Sequence, residues 1–112
     1  MTLTDFANII SGLGLPWAYY QFETEDDGTP PTPPYIVYFY PASDDVYADG
    51  ENYQTINRTM VELYTRTKDF ETEASVEAAF KAAGLTWAKE ATYIDSERLF
   101  MTAYDLEVII NG

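Results

Sequence analysis

The sequence contains no cysteine and no histidine among its 112 residues. The lack of cysteine excludes a disulfide framework, a thiolate metal site and a cysteine nucleophile, and the lack of histidine removes the commonest general base and metal ligand. Paired carboxylates alone can hydrolyse glycosides, but a domain this small leaves little room for a substrate cleft. We therefore predict a protein that is not an enzyme and that holds no metal or cofactor.

Basic residues are also scarce. Six Lys and Arg stand against 19 Asp and Glu, which gives a net charge of −13. Affinity for nucleic acid comes mainly from clustered cations that contact phosphates, so this balance argues against DNA as a bound ligand. No apolar stretch approaches the ~20 residues that span a bilayer, and no basic, apolar leader opens the chain. We expect one domain, residues 1–112, that is made in the cytoplasm and makes no membrane contact.

The hydrophobic pattern alternates between helical and strand periods. Steps of three and four from Leu3 to Leu13 predict a first helix, and Asp69 or Thr72 opens a second helix that Gly84 ends. Predicted strands occupy residues 17–22, 35–40, 53–66, 87–91 and 99–110, with loops at 23–34 and 41–52. This order, α-β-β-β-α-β-β, predicts an α+β fold in which a mainly antiparallel sheet carries two helices on one face.

The two helix ends resemble each other. Residues 14–18 (GLPWA) are repeated almost unchanged 70 positions later as residues 84–88 (GLTWA). If each glycine is the left-handed residue of a Schellman motif, Leu15 should contact Ile10 and Leu85 should contact Phe80. The pattern predicts a helix-to-strand corner that occurs twice.

Tyrosine is the most abundant aromatic residue, with 10 copies against six Phe and two Trp. A single buried sheet face does not require so many, and tyrosine is favoured at protein interfaces because its ring is apolar and its hydroxyl tolerates water. An aromatic platform for single-stranded nucleic acid would need a basic track, which the scattered cations do not form. We predict that strand tyrosines contact a neighbouring subunit or partner, namely Tyr35, Tyr38, Tyr40, Tyr53 and Tyr64.

Four acids fall close together in the predicted loop 41–52: Asp44, Asp45, Asp49 and Glu51. An EF-hand register on Gly50 places Tyr47 and Ile56 at ligand positions, so a calcium site is disfavoured. The residues alone then favour a solvated loop.

Four segments carry a resemblance to a known family: residues 14–19 after the first helix, 34–38, 61–65, and 93–97 before the last strand. Together they resemble the tail terminator proteins, also called tail completion or tail-to-head joining proteins, of long-tailed phages and prophages of Gram-positive bacteria. The resemblance extends over nearly the whole chain and is weakest in the loop from residue 26 to 34.

The resemblance implies a structural virion protein at the head-proximal end of the tail. Such proteins form a ring, usually a hexamer, that caps the tail tube and presents a surface to the head connector. The expected partners are further copies of the chain, the major tail-tube protein and the head completion protein, while DNA passes through without specific binding. Asp44, Asp45, Asp49 and Glu51 would then face the channel or an axial partner, because carboxylates repel phosphates.

Two other functions fit the composition. A small acidic protein could mimic DNA and inhibit a host enzyme that binds nucleic acid, or it could be an interaction module with no role in a tail. A mimic should spread its acids along exposed faces, whereas many acids here fall in loops and at predicted helix starts.

Overall fold

The computed structural model describes residues 1–20, 32–48 and 52–110, with side chains described outside 42–57 and 109–110. The elements, in chain order, are α1 (Leu3–Ser11), β1 (Trp17–Tyr19), β2 (Tyr35–Ala48), β3 (Asn52–Thr65), α2 (Phe70–Ala82), β4 (Trp87–Ile94) and β5 (Leu99–Ile110). The predicted α+β order is confirmed. Within the described ranges, no helix is long and apolar enough to cross a membrane.

The five strands form one sheet in the order β1-β2-β3-β5-β4. The β2–β3, β3–β5 and β4–β5 pairs are antiparallel, and β1 joins the edge of β2 in parallel. The mainly antiparallel sheet is therefore confirmed. β1 and β4 are its two edge strands.

The core lies between one face of the sheet and the two helices. Phe6 and Ile10 of α1 and Val76 and Phe80 of α2 are fully buried, as their helical spacing predicts. Leu3 shares that spacing but is 51% exposed, because it lies in the first turn of the helix. The sheet contributes alternate residues, as expected for strands with one buried face: Ile36, Tyr38, Val61, Leu63, Tyr104, Leu106 and Val108.

Side-chain caps fix where the helices begin. Thr2 and Asp5 form a capping box, in which the Asp5 N–H donates to Thr2 Oγ1 (3.0 Å) and the Thr2 N–H donates to Asp5 Oδ2 (2.9 Å). Asp69, rather than Thr72, caps α2, and it accepts from the Thr72 N–H at 3.0 Å. The hydrogen bond from the Thr2 N–H lowers the pKa of the Asp5 carboxyl, and hydrogen bonds from the Thr72 hydroxyl (2.7 Å) and then the Thr72 N–H lower the pKa of the Asp69 carboxyl.

Both corners have the predicted left-handed glycine, since Gly14 and Gly84 share a φ of +76°, but among the described backbone hydrogen bonds the full Schellman pair forms only at the second corner. At the second corner the Gly84 N–H donates to the Lys81 carbonyl and the Leu85 N–H donates to the Phe80 carbonyl, each at 3.0 Å. This is the predicted Schellman pair of bonds. At the first corner the Gly14 N–H donates to the Ser11 carbonyl at 3.4 Å.

Substitution of Gly84 tests this corner. We expect Gly84→Ala to lower the free energy of unfolding by about 1–2 kcal/mol, because a Cβ disfavours the left-handed conformation. No atom lies within 4 Å of the added Cβ, so the loss is conformational rather than a clash. Gly84→Asn is the matched control and should lose less, because asparagine tolerates this conformation. Urea unfolding of the three proteins measures the difference, and equal stability of Ala and Gly would contradict the assignment.

A buried ion-pair network holds α2 against the sheet. The side chain of Glu73 is only 3% exposed, and its Oε1 lies 2.9 Å from Lys68 Nζ and 2.8 Å from Lys89 Nζ. Lys89 also contacts Glu77 Oε2 at 3.2 Å, and the Tyr104 hydroxyl donates to the same oxygen at 3.1 Å. Burial raises the pKa of Glu73, but hydrogen bonds from Lys89 and Lys68 outweigh it, so the pKa is lowered overall.

The predicted loop at 41–52 is wrong in most of its length, because β2 continues to Ala48 and β3 begins at Asn52. The β2–β3 register shifts between Phe39 and Ala42. Such an irregularity accommodates Pro41, which has no N–H to donate, and the ladder then resumes. We call residues 42–48 and 52–57 the distal hairpin, since they extend beyond the end of β1, which is level with Tyr38, and beyond the start of β4, which is level with Leu106.

Candidate subunit interface

Tyr35 and Tyr64 lie on the sheet face turned away from the helices. They are directly opposite each other in the β2–β3 ladder, and their rings stack with centroids 4.9 Å apart at an interplanar angle of 19°. The Tyr64 hydroxyl donates to Glu62 Oε1 at 3.1 Å. Burial, then the nearby Glu62 carboxylate, raises the pKa of Tyr64, so the phenol remains a neutral donor. Tyr35 is only 6% exposed, so the half-buried Tyr64 is the more accessible ring of the pair at the start of β2.

Tyr38 and Tyr40 lie on the opposite, helix-covered face. The Tyr38 ring meets Phe6 edge to face at 5.6 Å and is 5% exposed, so it has little surface left for a neighbour. Tyr40 is half-buried, 6.3 Å from Phe6 between ring centroids, and burial raises its pKa to about 12. Tyr38 therefore belongs to the core of the subunit. Its position follows from strand alternation with Ile36, which the continuous apolar run 35–40 did not reveal.

Tyr53 lies in β3 opposite Tyr47, and its side chain is outside the described residues. Asp44 and Asp45 lie in β2, opposite Ile56 and Thr55, rather than in a loop. Asp49 and Glu51 fall outside the residues that the structure describes. The acids predicted to act together are thus divided between a strand of the distal hairpin and its connection.

Three exposed aromatic residues lie at the β1 edge of the sheet, and the sequence did not single them out. Trp17 is 39% exposed, Tyr19 is 50% exposed and Tyr20 is 68% exposed. They lie in or directly after the three-residue edge strand β1, which has β2 on one side only. The density of aromatics in residues 17–22 was the available signal, but the pattern does not show that the strand lies at an edge.

Comparison with known proteins identifies the fold. No protein-family model matches the chain, and no curated protein matches it. A chain of the solved structure described as "Virion of native gene transfer agent (GTA) particle" superposes with a TM-score of 0.59. The alignment covers 98% of this chain and 89% of that chain, at 14% sequence identity. The protein shares its fold with a chain of a virion.

This similarity includes both helices and the whole sheet, since almost the entire length of each chain takes part. In the part of the chain that the structure describes, no three His, Cys, Asp or Glu residues are arranged to hold a metal ion. The surfaces left to examine for function are the aromatic edge, the tyrosine stack and the distal hairpin.

Proposed function

We propose that this protein is a structural component of a phage-like virion, and that its specific role is tail terminator or tail completion protein. In this role it forms a ring, usually a hexamer in the family that it resembles, which caps the tail tube and joins tail to head. The observation that carries the proposal is the fold shared with the virion chain over 98% of this sequence. Its expected partners are the major tail-tube protein and the head completion protein.

The two ends of the subunit present different surfaces, which supports assembly into a ring. A cyclic assembly needs two different, complementary surfaces on each subunit, one for each neighbour. The Tyr35–Tyr64 stack lies at the start of β2, and the distal hairpin lies at its other end. The molecule is elongated, with extents of 50 × 32 × 24 Å. A head-to-tail arrangement can therefore join one end of a subunit to the other end of the next.

The acidic charge supports a path along which DNA moves without being held. A net charge of −13 gives the ring a field that repels phosphates, whereas clustered Lys or Arg would retain them. We propose that the acids of the distal hairpin and its connection face this channel or an axial partner: Asp44, Asp45, Asp49 and Glu51.

Five acids with structural roles inside the subunit favour this function over mimicry of DNA. Asp5 and Asp69 cap helices, and Glu73, Glu77 and Asp105 form ion pairs within the subunit. A DNA mimic needs carboxylates that remain available to a basic groove. These five stabilise the subunit's own structure instead.

Deletion of the gene from its phage tests the role directly. We expect electron microscopy of the lysate to show unjoined heads and tails of uncontrolled length, and the wild-type gene supplied in trans should restore joined virions. Normal virions from the deletion strain would refute the assignment. Binding of the purified protein to a host nucleic-acid enzyme, weakened by salt, would support the DNA mimic instead.

A further inference from the structure

A groove beside the tyrosine stack brings two arginines together. Its volume is about 490 Å³, and its walls include Tyr35, Arg66, Arg98 and Leu99. Arg66 follows the end of β3, and Arg98 lies in the turn between β4 and β5 with a φ of +54°. Tyr35 and Leu99 are 6% and 9% exposed and form an apolar wall. The groove thus has a buried wall on one side and two guanidinium groups in its lining.

These arginines differ from three of the other four cations of the chain. Arg58, Lys68 and Lys89 each form an ion pair with a carboxylate of the subunit. Among the residues that the structure describes, neither Arg66 nor Arg98 does so, although both are exposed. Glu97 also lines the groove, which leaves it a net charge of +1 on a chain of net charge −13. An anionic ligand is therefore the complementary occupant, since guanidinium pairs with carboxylate in a bidentate geometry.

The acidic distal hairpin of a second copy matches this requirement. It carries Asp44 and Asp45 in β2, and it lies at the far end of the strand whose first residue, Tyr35, lines the groove. Thirteen residue steps separate Tyr35 from Ala48, a span of about 40 Å. One subunit cannot fold its own hairpin into its own groove across that length of sheet, whereas a neighbour can reach it.

We propose that the distal hairpin of one subunit docks in the Arg66–Arg98 groove of the next, with its acidic β2 strand, which carries Asp44 and Asp45, against the arginines. This rests on the proposed function, because it specifies which surfaces join the subunits of the ring. The contact is heterologous, so each copy uses its groove on one side and its hairpin on the other, and a suitable rotation closes the ring. Asp44 and Asp45 then serve the contact between subunits instead of the channel, and Asp49 and Glu51 are the acids left for the channel or an axial partner.

Charge reversal tests the contact. We expect Arg66→Glu to weaken self-association by about tenfold or more, because it sets like charges against each other. Asp44→Arg with Asp45→Arg should do the same, and combining these with Arg66→Glu and Arg98→Glu should restore association. Lys81→Glu is the matched control, because it makes the same charge change on the exposed surface of α2. Sedimentation velocity measures association, and circular dichroism confirms folding; Arg66→Gln replaces Arg66→Glu if the latter misfolds.

Cross-linking locates the contact independently of affinity. The chain has no cysteine, so Thr67→Cys, next to the groove residue Arg66, and Ser43→Cys in the hairpin can be placed in separate, differently tagged copies. We expect a short bis-maleimide to link the two copies, both in purified protein and in isolated tails. The link should disappear when Arg66→Glu is present in the Thr67→Cys copy.

The outcomes separate this inference from the proposed function. If deletion of the gene leaves heads and tails unjoined but no Thr67–Ser43 link forms and charge reversal is harmless, the docking is wrong and the terminator role stands. If the link forms but virions are normal without the gene, the docking stands and the terminator role is wrong. Loss of bound DNA fragments, rather than of self-association, on Arg66→Glu would overturn the second-copy occupant.

Discussion

Replacing Phe80 with alanine is expected to lower the free energy of unfolding by about 3–5 kcal/mol. The Phe80 side chain is fully buried, and its ring lies 5.5 Å from Tyr104 and 5.8 Å from Trp87 between centroids. Alanine removes these aromatic contacts and leaves a cavity where α2 meets β4 and β5. The same residue supplies the carbonyl that Leu85 bonds in the helix-ending turn, so collapse into the cavity would disturb that corner.

A matched substitution is available on the same helix. Phe70 is 71% exposed. The one ring contact described for it is with the Lys68 ammonium, which lies 5.3 Å from the centroid of the Phe70 ring. Phe70→Ala makes the same chemical change and should cost at most about 1 kcal/mol. Urea unfolding followed by tryptophan fluorescence gives all three stabilities. Equal losses at positions 70 and 80 would mean that α2 does not pack on the sheet through Phe80.

The second large effect concerns Glu73. We expect Glu73→Gln to lower the free energy of unfolding at neutral pH by about 2–3 kcal/mol, because it leaves a buried amide facing Lys68 and Lys89. Glu71→Gln is the control: Glu71 occupies the same first turn but is exposed. It should lose only a few tenths of a kcal/mol, from the helix dipole.

The loss at Glu73 should depend on pH. Its pKa in the folded protein lies below the ordinary value of 4.5, so the unfolded chain takes up a proton first as the pH falls. The stability from this carboxylate is therefore complete above about pH 4.5 and is lost as the pH falls through the folded pKa. We expect the difference between wild type and Glu73→Gln to shrink on acidification, which unfolding at a series of pH values measures. A difference that stays constant would show that the glutamate acts by packing rather than by charge.

Local patterns in the sequence were sufficient for the elements whose structure is set locally. The stop at Gly84 and the strand over residues 99–110 rest on near neighbours in the chain, and the structure confirms both; of the two predicted helix starts, Asp69 and Thr72, it has Asp69 as the cap. The single buried face of the sheet also followed, since Val61 and Leu63 alternate with polar residues along β3.

Features that depend on residues distant in the sequence could not be predicted in the same way. Residues 42–48 are rich in aspartate and follow a proline, which are turn signals, yet β2 continues there because β3 supplies a hydrogen-bonded partner. Likewise, Tyr35 and Tyr38 come from one uninterrupted aromatic run. Only the packing of α1 distinguishes the residue that contacts Phe6 from the residue that stacks on Tyr64.

The same limit applies to the interface. Composition predicted that aromatic and acidic surfaces matter, but it gave no sign that Arg66 and Arg98 meet, because 31 intervening residues separate them in the chain. They meet because β3 ends, and the turn before β5 begins, at the same end of the sheet. The groove is a product of topology rather than of a motif.

The parallel pairing of β1 with β2 leaves the chain with spare length. β1 ends level with Tyr38, so the connection has to return only three residues along β2, about 10 Å, to reach Tyr35. The 15 residues that make this connection could span about 50 Å if extended. The entropic cost of closing a loop changes slowly with its length. Insertions and deletions between Tyr20 and Tyr35 are therefore compatible with an unchanged sheet register, which makes this connection the place where homologous chains can diverge in size and where a reporter peptide can be attached.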